Sequence, residues 1–145
     1  MIKTSITQNN TIEASEADYL YVKTSQIPKA GHGLFTAIDI YKHEIIALFK
    51  GEIIDATEAK HRAQQKQDRY FINLLDGSIM DSMHTNCFAK YANDTKGTTD
   101  DSSYKNNAKI GLDDNDNVCI IATKKIRSGE EVFCGYGKRY WKKHL

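Results

Sequence analysis

From residue 19 onward, short runs of apolar and β-branched residues alternate with polar turns, and the period is mostly two. "YLYVK" (19–23) is an alternating aromatic and β-branched run, the pattern of a strand. "SQIPKAGHG" (25–33) carries the only proline and two close glycines and reads as a loop; "LFTAI" and then "EIIALF" follow it, with "GEII" resuming at Gly51. "YFINLL" (70–75) and "SIMD" (78–81) flank an Asp76-Gly77 turn and predict a hairpin. "AKIGL" and "NVCIIAT" flank the acidic turn 113–117 and predict a second, and a turn at Ser128-Gly129 leads into "EEVFCGYG".

One segment breaks the period. "DATEAKHRAQQKQDR" (55–69) begins with Asp55, has Glu58 three positions later in a capping-box arrangement, and is filled with helix formers. It has almost no apolar stripe, so the helix is expected on the surface, beside a substrate groove. Residues 1–18, rich in Thr, Ser, Asn and Glu, are expected to be loosely ordered. The stretch 94–107 reads as a long polar loop. "AIDIYKHEII" and "TKKIRSGEEV" resemble each other as two β-turn-β units, without making a repeat architecture. The fold class expected is mostly β with one clear helix.

Composition narrows the function classes. At 145 residues the chain fits one domain with one core, and a formal net charge of +1 gives no global field toward nucleic acid or membrane. The three cysteines are odd in number and widely spaced, which argues for a reducing compartment and against a disulfide framework. The polar N-terminus lacks the apolar core of a secretory signal, and no run reaches the roughly 20 apolar residues of a membrane span. An intracellular protein, cytoplasmic or nuclear, is expected. The five histidines show no paired metal-ligand spacing, and no serine sits in a G-x-S-x-G elbow, so neither a metal site nor hydrolase chemistry is expected.

Single motifs leave their readings open. In "KAGHGLF" (29–35), Gly31 and Gly33 either make a tight turn or bring backbone close to a small ligand. "GYG" (135–137) sets Tyr136 as a phenol aimed at a reaction centre or as a core aromatic beside a turn. Trp141, the only tryptophan, is a core anchor or a stacking surface for a planar base. Asn93-Asp94 in "AKYAND" is also an ordinary turn pair.

Taken in order, these blocks resemble the SET-domain protein lysine methyltransferases from about residue 19 to the end. "AGHGLFTAIDIYKHEIIALFKGEII" is similar to the family's G-x-G, turn and apolar strand closing on G-E-I-I, and "DRYFINL" to its Tyr-led strand. "IMDSMHTNCFAKYAND" stands where the family has an I-D segment leading into R-F-I-N-H. Asn107 takes the place of the asparagine in its P-N pair, with Asn106 at the usual proline. "IATKKIRSGEEVFCGYGKRYW" is similar to I-A-x-R-D-I-x-x-G-E-E-L followed by Y-G and a late aromatic, and is the most specific block.

The resemblance implies a SET-domain fold of small curved sheets with a C-terminal pseudoknot over residues 19–145, and S-adenosylmethionine as methyl donor. It implies that Gly31, His32 and Gly33 contact the cofactor mainly through backbone. Asn93 holds its amino-acid end, the backbone at Asp94 faces the adenine, and Trp141 lies on that ring. Tyr136 and Tyr70 are the catalytic tyrosines at the lysine channel, with Tyr91 and Cys134 lining it. The implied partner is a protein presenting a lysine, a histone tail among the candidates, with no membrane or direct nucleic-acid contact. Departures are also visible. Asp94 stands at the usual histidine, Lys90 and Tyr91 at the usual Arg and Phe, and Cys134 at a usual Phe or Tyr, where a smaller side chain favours di- or trimethylation. Cysteine-rich flanks are absent, so a minimal, free-standing member is expected. The alternative reading is a catalytically inactive SET-like module that binds cofactor or peptide.

Overall fold

The computed structural model describes residues 10–74, 76–97 and 104–135, which carry ten short strands in three small sheets. The first sheet orders β1 (Leu20–Thr24), β2 (His32–Thr36) and β9 (Glu131–Val132), all antiparallel. The second joins β3 (Ile45–Leu48), β8 (Val118–Ala122), β7 (Ala108–Leu112) and β10 (Cys134–Gly135). In the third, β6 (Ile79–Asp81) lies between β4 (Glu52–Ile54) and β5 (Phe71–Asn73). The expected hairpins are therefore present at 71–81 and 108–122, with β5 paired to β6 and β7 to β8. Strands β2 and β8 are buried along most of their length because both faces are covered.

One main core holds the first two sheets together. Leu34, Ile40, Ile46, Ile120, Ile126 and Val132 are fully buried there. Burial of side chains of this size contributes about 1.5–3 kcal/mol each before chain entropy is set against it. The two β-turn-β units meet directly, since Ile40 and Ile126 exchange backbone hydrogen bonds of 2.7 and 2.8 Å.

The beginning of the described chain corrects the expectation of a loosely ordered segment over 10–18. Thr11 bridges Ile45, Ile12 packs against the core, and Glu16–Tyr19 (α1) forms one helical turn. A Glu16 carboxylate oxygen accepts from the Leu48 N–H at 2.9 Å. Tyr19 is buried and donates its hydroxyl to the Ile46 carbonyl at 2.7 Å; burial first, then the charges of Glu16 and Glu44, raise its phenol pKa far above the usual value. These anchors are specific polar bonds, which a polar composition does not reveal. Residues 1–9 lie outside the described residues.

The helix α2 (Ala56–Gln64) is shorter than the 55–69 its composition suggests. Its start is as expected, with the Asp55 side chain accepting from the Glu58 N–H at 2.8 Å. Its end comes early because only Ala59 is buried, against Ile54 and Phe71, and Lys66 then turns into the left-handed region at φ 60°. Glu58 does not complete a capping box; it binds Arg62 one turn later at 2.7 Å.

Arg62 ties α2 to the third sheet. Its guanidinium donates to Glu52 of β4 at 3.0 Å and to Asp81 of β6 at 2.8 Å. Hydrogen bonds to Glu52, Glu58 and Asp81 raise the Arg62 pKa beyond its already high value. Of the three acceptors only Asp81 is buried, at 3% exposure. Arg62→Ala should therefore lower the urea midpoint more than Glu52→Ala or Glu58→Ala, because it strands a buried carboxylate. Equal midpoints for the three variants would show that Asp81 does not depend on Arg62.

Candidate active site

Four segments far apart in sequence converge beside β2: residues 25–33, 89–94, 106–108 and 131–135. The loop before β2 is closed on itself, with the Ser25 N–H donating to the Gly31 carbonyl at 2.8 Å. Gly31 has φ +78°, a conformation side-chain-bearing residues adopt at a cost, and nothing lies within 4 Å of where its Cβ would be. Gly33 is needed for the opposite reason: a Cβ there would land in the carboxylate of Glu131. That carboxylate, on β9 and only 1% exposed, accepts from Ser25 Oγ at 2.6 Å and from the Gln26 N–H at 2.8 Å. Glu131 thus shapes the Gly-His-Gly loop from behind.

Asn93 joins this loop to the second segment. Its Nδ2 donates to the His32 carbonyl at 3.0 Å, and its own carbonyl accepts from the Cys134 N–H at 2.8 Å. On the other side of the same strand, Asn107 is buried and fully engaged. Its Oδ1 accepts from the Phe133 N–H at 2.8 Å, its Nδ2 donates to the Glu131 carbonyl at 3.0 Å, and its N–H donates to the Phe133 carbonyl at 2.9 Å. Residues 131–135 therefore run between Asn93 and the 107–109 strand, parallel to both where they pair. This is the region where the expected C-terminal crossing would form.

Asp94 is turned into its own loop. Its Oδ1 accepts from the Lys96 N–H and from Asn106 Nδ2, both at 2.9 Å, while Asn106 Oδ1 accepts from the Thr95 N–H at 3.0 Å. The two residues that depart from the usual histidine and proline thus bind each other, clasping both ends of the polar loop. Cys134 is fully buried in the main core, where burial first and the Asp94 charge second push its thiol pKa far up. Cys119, also buried, is pushed up to about 11 by burial and then by the Asp113 charge.

Two aromatic rings stand next to this frame. Tyr91, half-buried on the 3-10 turn Ala89–Tyr91, meets His32 edge-on at 6.1 Å between centroids. Tyr70, just before β5, is half-buried, and its carbonyl accepts from the Ser82 N–H at 3.2 Å. Lys90 Nζ lies 5.3 Å from the centroid of each ring, so both tyrosines face one ammonium. The structure thus gathers His32, Gly33, Asn93, Asp94, Tyr91 and Cys134 around one strand, with Tyr70 linked through Lys90. Tyr136 and Trp141 lie outside the described residues. Glu131 and Lys90 were not among the expected site residues. Glu131 was visible only as part of an apolar strand lead-in, and nothing local marks a buried carboxylate 98 positions from the loop it shapes.

The family model of the SET domain matches residues 31–137, most of the chain. The chain belongs to the SET-domain family. The Histone-lysine N-methyltransferase EZH2 of Chaetomium thermophilum is 27% identical over 144 residues, an alignment that takes in 92% of this chain and 9% of that protein. Among solved structures, an apo ctPRC2 carrying two substitutions in Ezh2 gives a TM-score of 0.68 at 29% identity, covering 86% of this chain and 16% of that one. An inhibitor-bound humanized mutant of the Chaetomium thermophilum Polycomb Repressive Complex 2 gives 0.67 at 28% identity, covering 81% and 15%. The chain spans less than a tenth of the length of that curated SET-domain relative. The mostly β architecture with one clear helix is accordingly a SET-domain fold.

Proposed function

We propose that this SET domain transfers a methyl group from S-adenosylmethionine to a lysine side chain of a protein, with histone tails as first candidates. The observation that carries the reading is the 3.0 Å hydrogen bond from Asn93 Nδ2 to the His32 carbonyl. It locks together the Gly-His-Gly loop and the Asn-Asp segment, the two blocks the family resemblance assigns to the cofactor. The residues suit such a ligand: the flank of Gly31 is open for 4 Å, and His32 is exposed beside it. In this reading Gly31, His32 and Gly33 offer backbone, Asn93 holds the amino-acid end, and Asp94 backbone with Trp141 receives the adenine.

Bound there, the cofactor supplies an electrophilic methyl group on a sulfonium. In-line displacement of this kind demands alignment more than acid–base machinery. A lysine amine, with an ordinary pKa near 10.4, must arrive without its proton. Tyr70 and Tyr91 form apolar walls that exclude water and favour the neutral amine. Tyr136 orients the amine through its hydroxyl. Cys134 leaves little bulk at its position, which favours the more highly methylated products. A nuclear or cytoplasmic setting follows from such a substrate; among the described residues no helix is long and apolar enough to cross a membrane.

Asp94 decides between this and an inactive SET-like binding module. Its Oδ1 accepts from the Lys96 N–H and from Asn106, so its charge is engaged within the loop, which supports the active reading. Asp94→Ala should weaken S-adenosylmethionine binding about tenfold by loosening the clasp, while Asp94→Asn, which keeps an acceptor, stays within about twofold of wild type by calorimetry. A marked gain in affinity for Asp94→Asn would mean that the carboxylate repels the ligand. Cofactor binding with no methyl transfer across many substrates would favour the inactive module.

A further inference from the structure

The Lys90 ammonium is unusually well held for a lysine beside a site. Its three N–H donors reach three carbonyls of one turn, Ser82 at 3.0 Å, Met83 at 3.2 Å and Thr85 at 3.2 Å. A lysine has three donors, so this set saturates it. The turn is itself braced: Asp81 Oδ1 accepts from the Met83 N–H at 3.0 Å while Oδ2 binds Arg62, and Ser82 Oγ donates to the Lys50 carbonyl at 2.6 Å. The charge is therefore fixed in place, 5.3 Å from the centroids of both Tyr70 and Tyr91. A second cation, Arg69, stands 5.4 Å from the Tyr70 ring.

We infer that Lys90 is a charge-setting and positioning residue of the lysine channel, whose fixed ammonium makes the Tyr70–Tyr91 pair receptive to a neutral amine and hostile to a cation. The inference rests on the reading of these tyrosines as channel walls. Two tyrosine rings turned toward one point otherwise make an attractive cage for an ammonium, because the negative faces of their rings bind cations. Here those rings already face a cation whose hydrogen bonds are complete. A second positive charge meets repulsion that is poorly screened between partly buried groups. A neutral amine meets none, and its methylene stem still packs on the rings. The same arrangement distinguishes an enzyme that must take a deprotonated lysine from a module that retains a methylated, permanently charged one.

The charged and titratable groups around the pair are Lys90, Arg69 and His32, the last at the edge of Tyr91, with Asp81 on the adjoining turn tied to Arg62. All except Lys90 are retained in Lys90→Arg, Lys90→Met and Lys90→Gln, so comparison isolates the one charge. The test is the pH profile of kcat, at saturating core histones, for methyl transfer from labelled S-adenosylmethionine, because kcat follows the protonation of the bound amine. The acid limb of Lys90→Met should move up by about one pH unit, a tenfold loss at its acid end that fades toward alkaline pH, while Lys90→Arg keeps the wild-type limb. A Lys90→Met profile lowered equally at every pH would make Lys90 a mere brace and overturn the inference. Should Lys90→Met not fold, Lys90→Gln, which keeps a donor for the carbonyls, carries the same comparison.

Failure of the wild type to methylate histones counts against the proposed function and moves the test of Lys90 to binding. Ring signals of Tyr70 and Tyr91 are then followed by nuclear magnetic resonance during titration with butyltrimethylammonium. They should stay still in wild type and move in Lys90→Gln. Movement in both proteins, or in neither, overturns the role of Lys90.

Discussion

Gly33→Ala is expected to be strongly damaging to both stability and cofactor affinity. The new Cβ would fall on the Glu131 carboxylate, which has nowhere to retreat: it is 1% exposed and holds Ser25 Oγ and the Gln26 N–H. Moving it either breaks both bonds or drives the ion into the core, for a loss of about 3 kcal/mol or more. That is a large share of the stability of a domain of this size. Because the same carboxylate shapes the Gly-His-Gly loop, cofactor affinity should fall with it. Gly31→Ala meets no neighbour within 4 Å and carries only the strain of φ +78°, about 1 kcal/mol. Urea unfolding of the two variants measures the difference; a Gly33→Ala midpoint equal to that of Gly31→Ala would remove Glu131 from this role.

The second large effect is expected at Asn93. Asn93→Asp replaces the donor facing the His32 carbonyl by an acceptor, so two oxygens confront each other across a 3.0 Å gap. Asn93→Ala only deletes the bond. The Asn93 backbone, which accepts from Cys134, is unchanged in both, so the fold should persist. Affinity for S-adenosylmethionine should drop roughly 100-fold in Asn93→Asp, about 2.7 kcal/mol, and several-fold less in Asn93→Ala. Calorimetry reads this directly. Affinities unchanged in both variants would separate the Asn93–His32 link from cofactor binding.

Much of this architecture was legible because its signals are local. Alternation in "YLYVK", the Asp76-Gly77 turn and the Asp55 cap each depend on a few adjacent residues, and each corresponds to an element of the structure. The length of α2 was not legible, since its end is decided by how little of it packs, at Ala59, and not by its helix-forming composition. Residues 10–18 read as loose because Glu16 and Tyr19 reach backbone groups of β3, partners about thirty positions away that no composition window contains.

At the site the same division holds. The Gly-His-Gly loop, Asn93 and the tyrosines were visible as an ordered set of motifs. What brings them together was not: Glu131 packed behind Gly33, Asn107 pinning the 131–133 strand, and Lys90 between two rings. Asp94 illustrates the difference most clearly. In sequence it is a departure from the family; in the structure it and the second departure, Asn106, are partners at 2.9 Å.

The activity proposed for this SET domain is methyl transfer to lysine. Its most direct test is incubation of the chain with methyl-labelled S-adenosylmethionine and a cell lysate, followed by amino-acid analysis of the labelled proteins, with Asn93→Asp as the control. The wild-type chain should place label in Nε-methyllysine, and the Asn93→Asp control should lose it. Label no greater than in Asn93→Asp, from a chain that binds the cofactor, would contradict it.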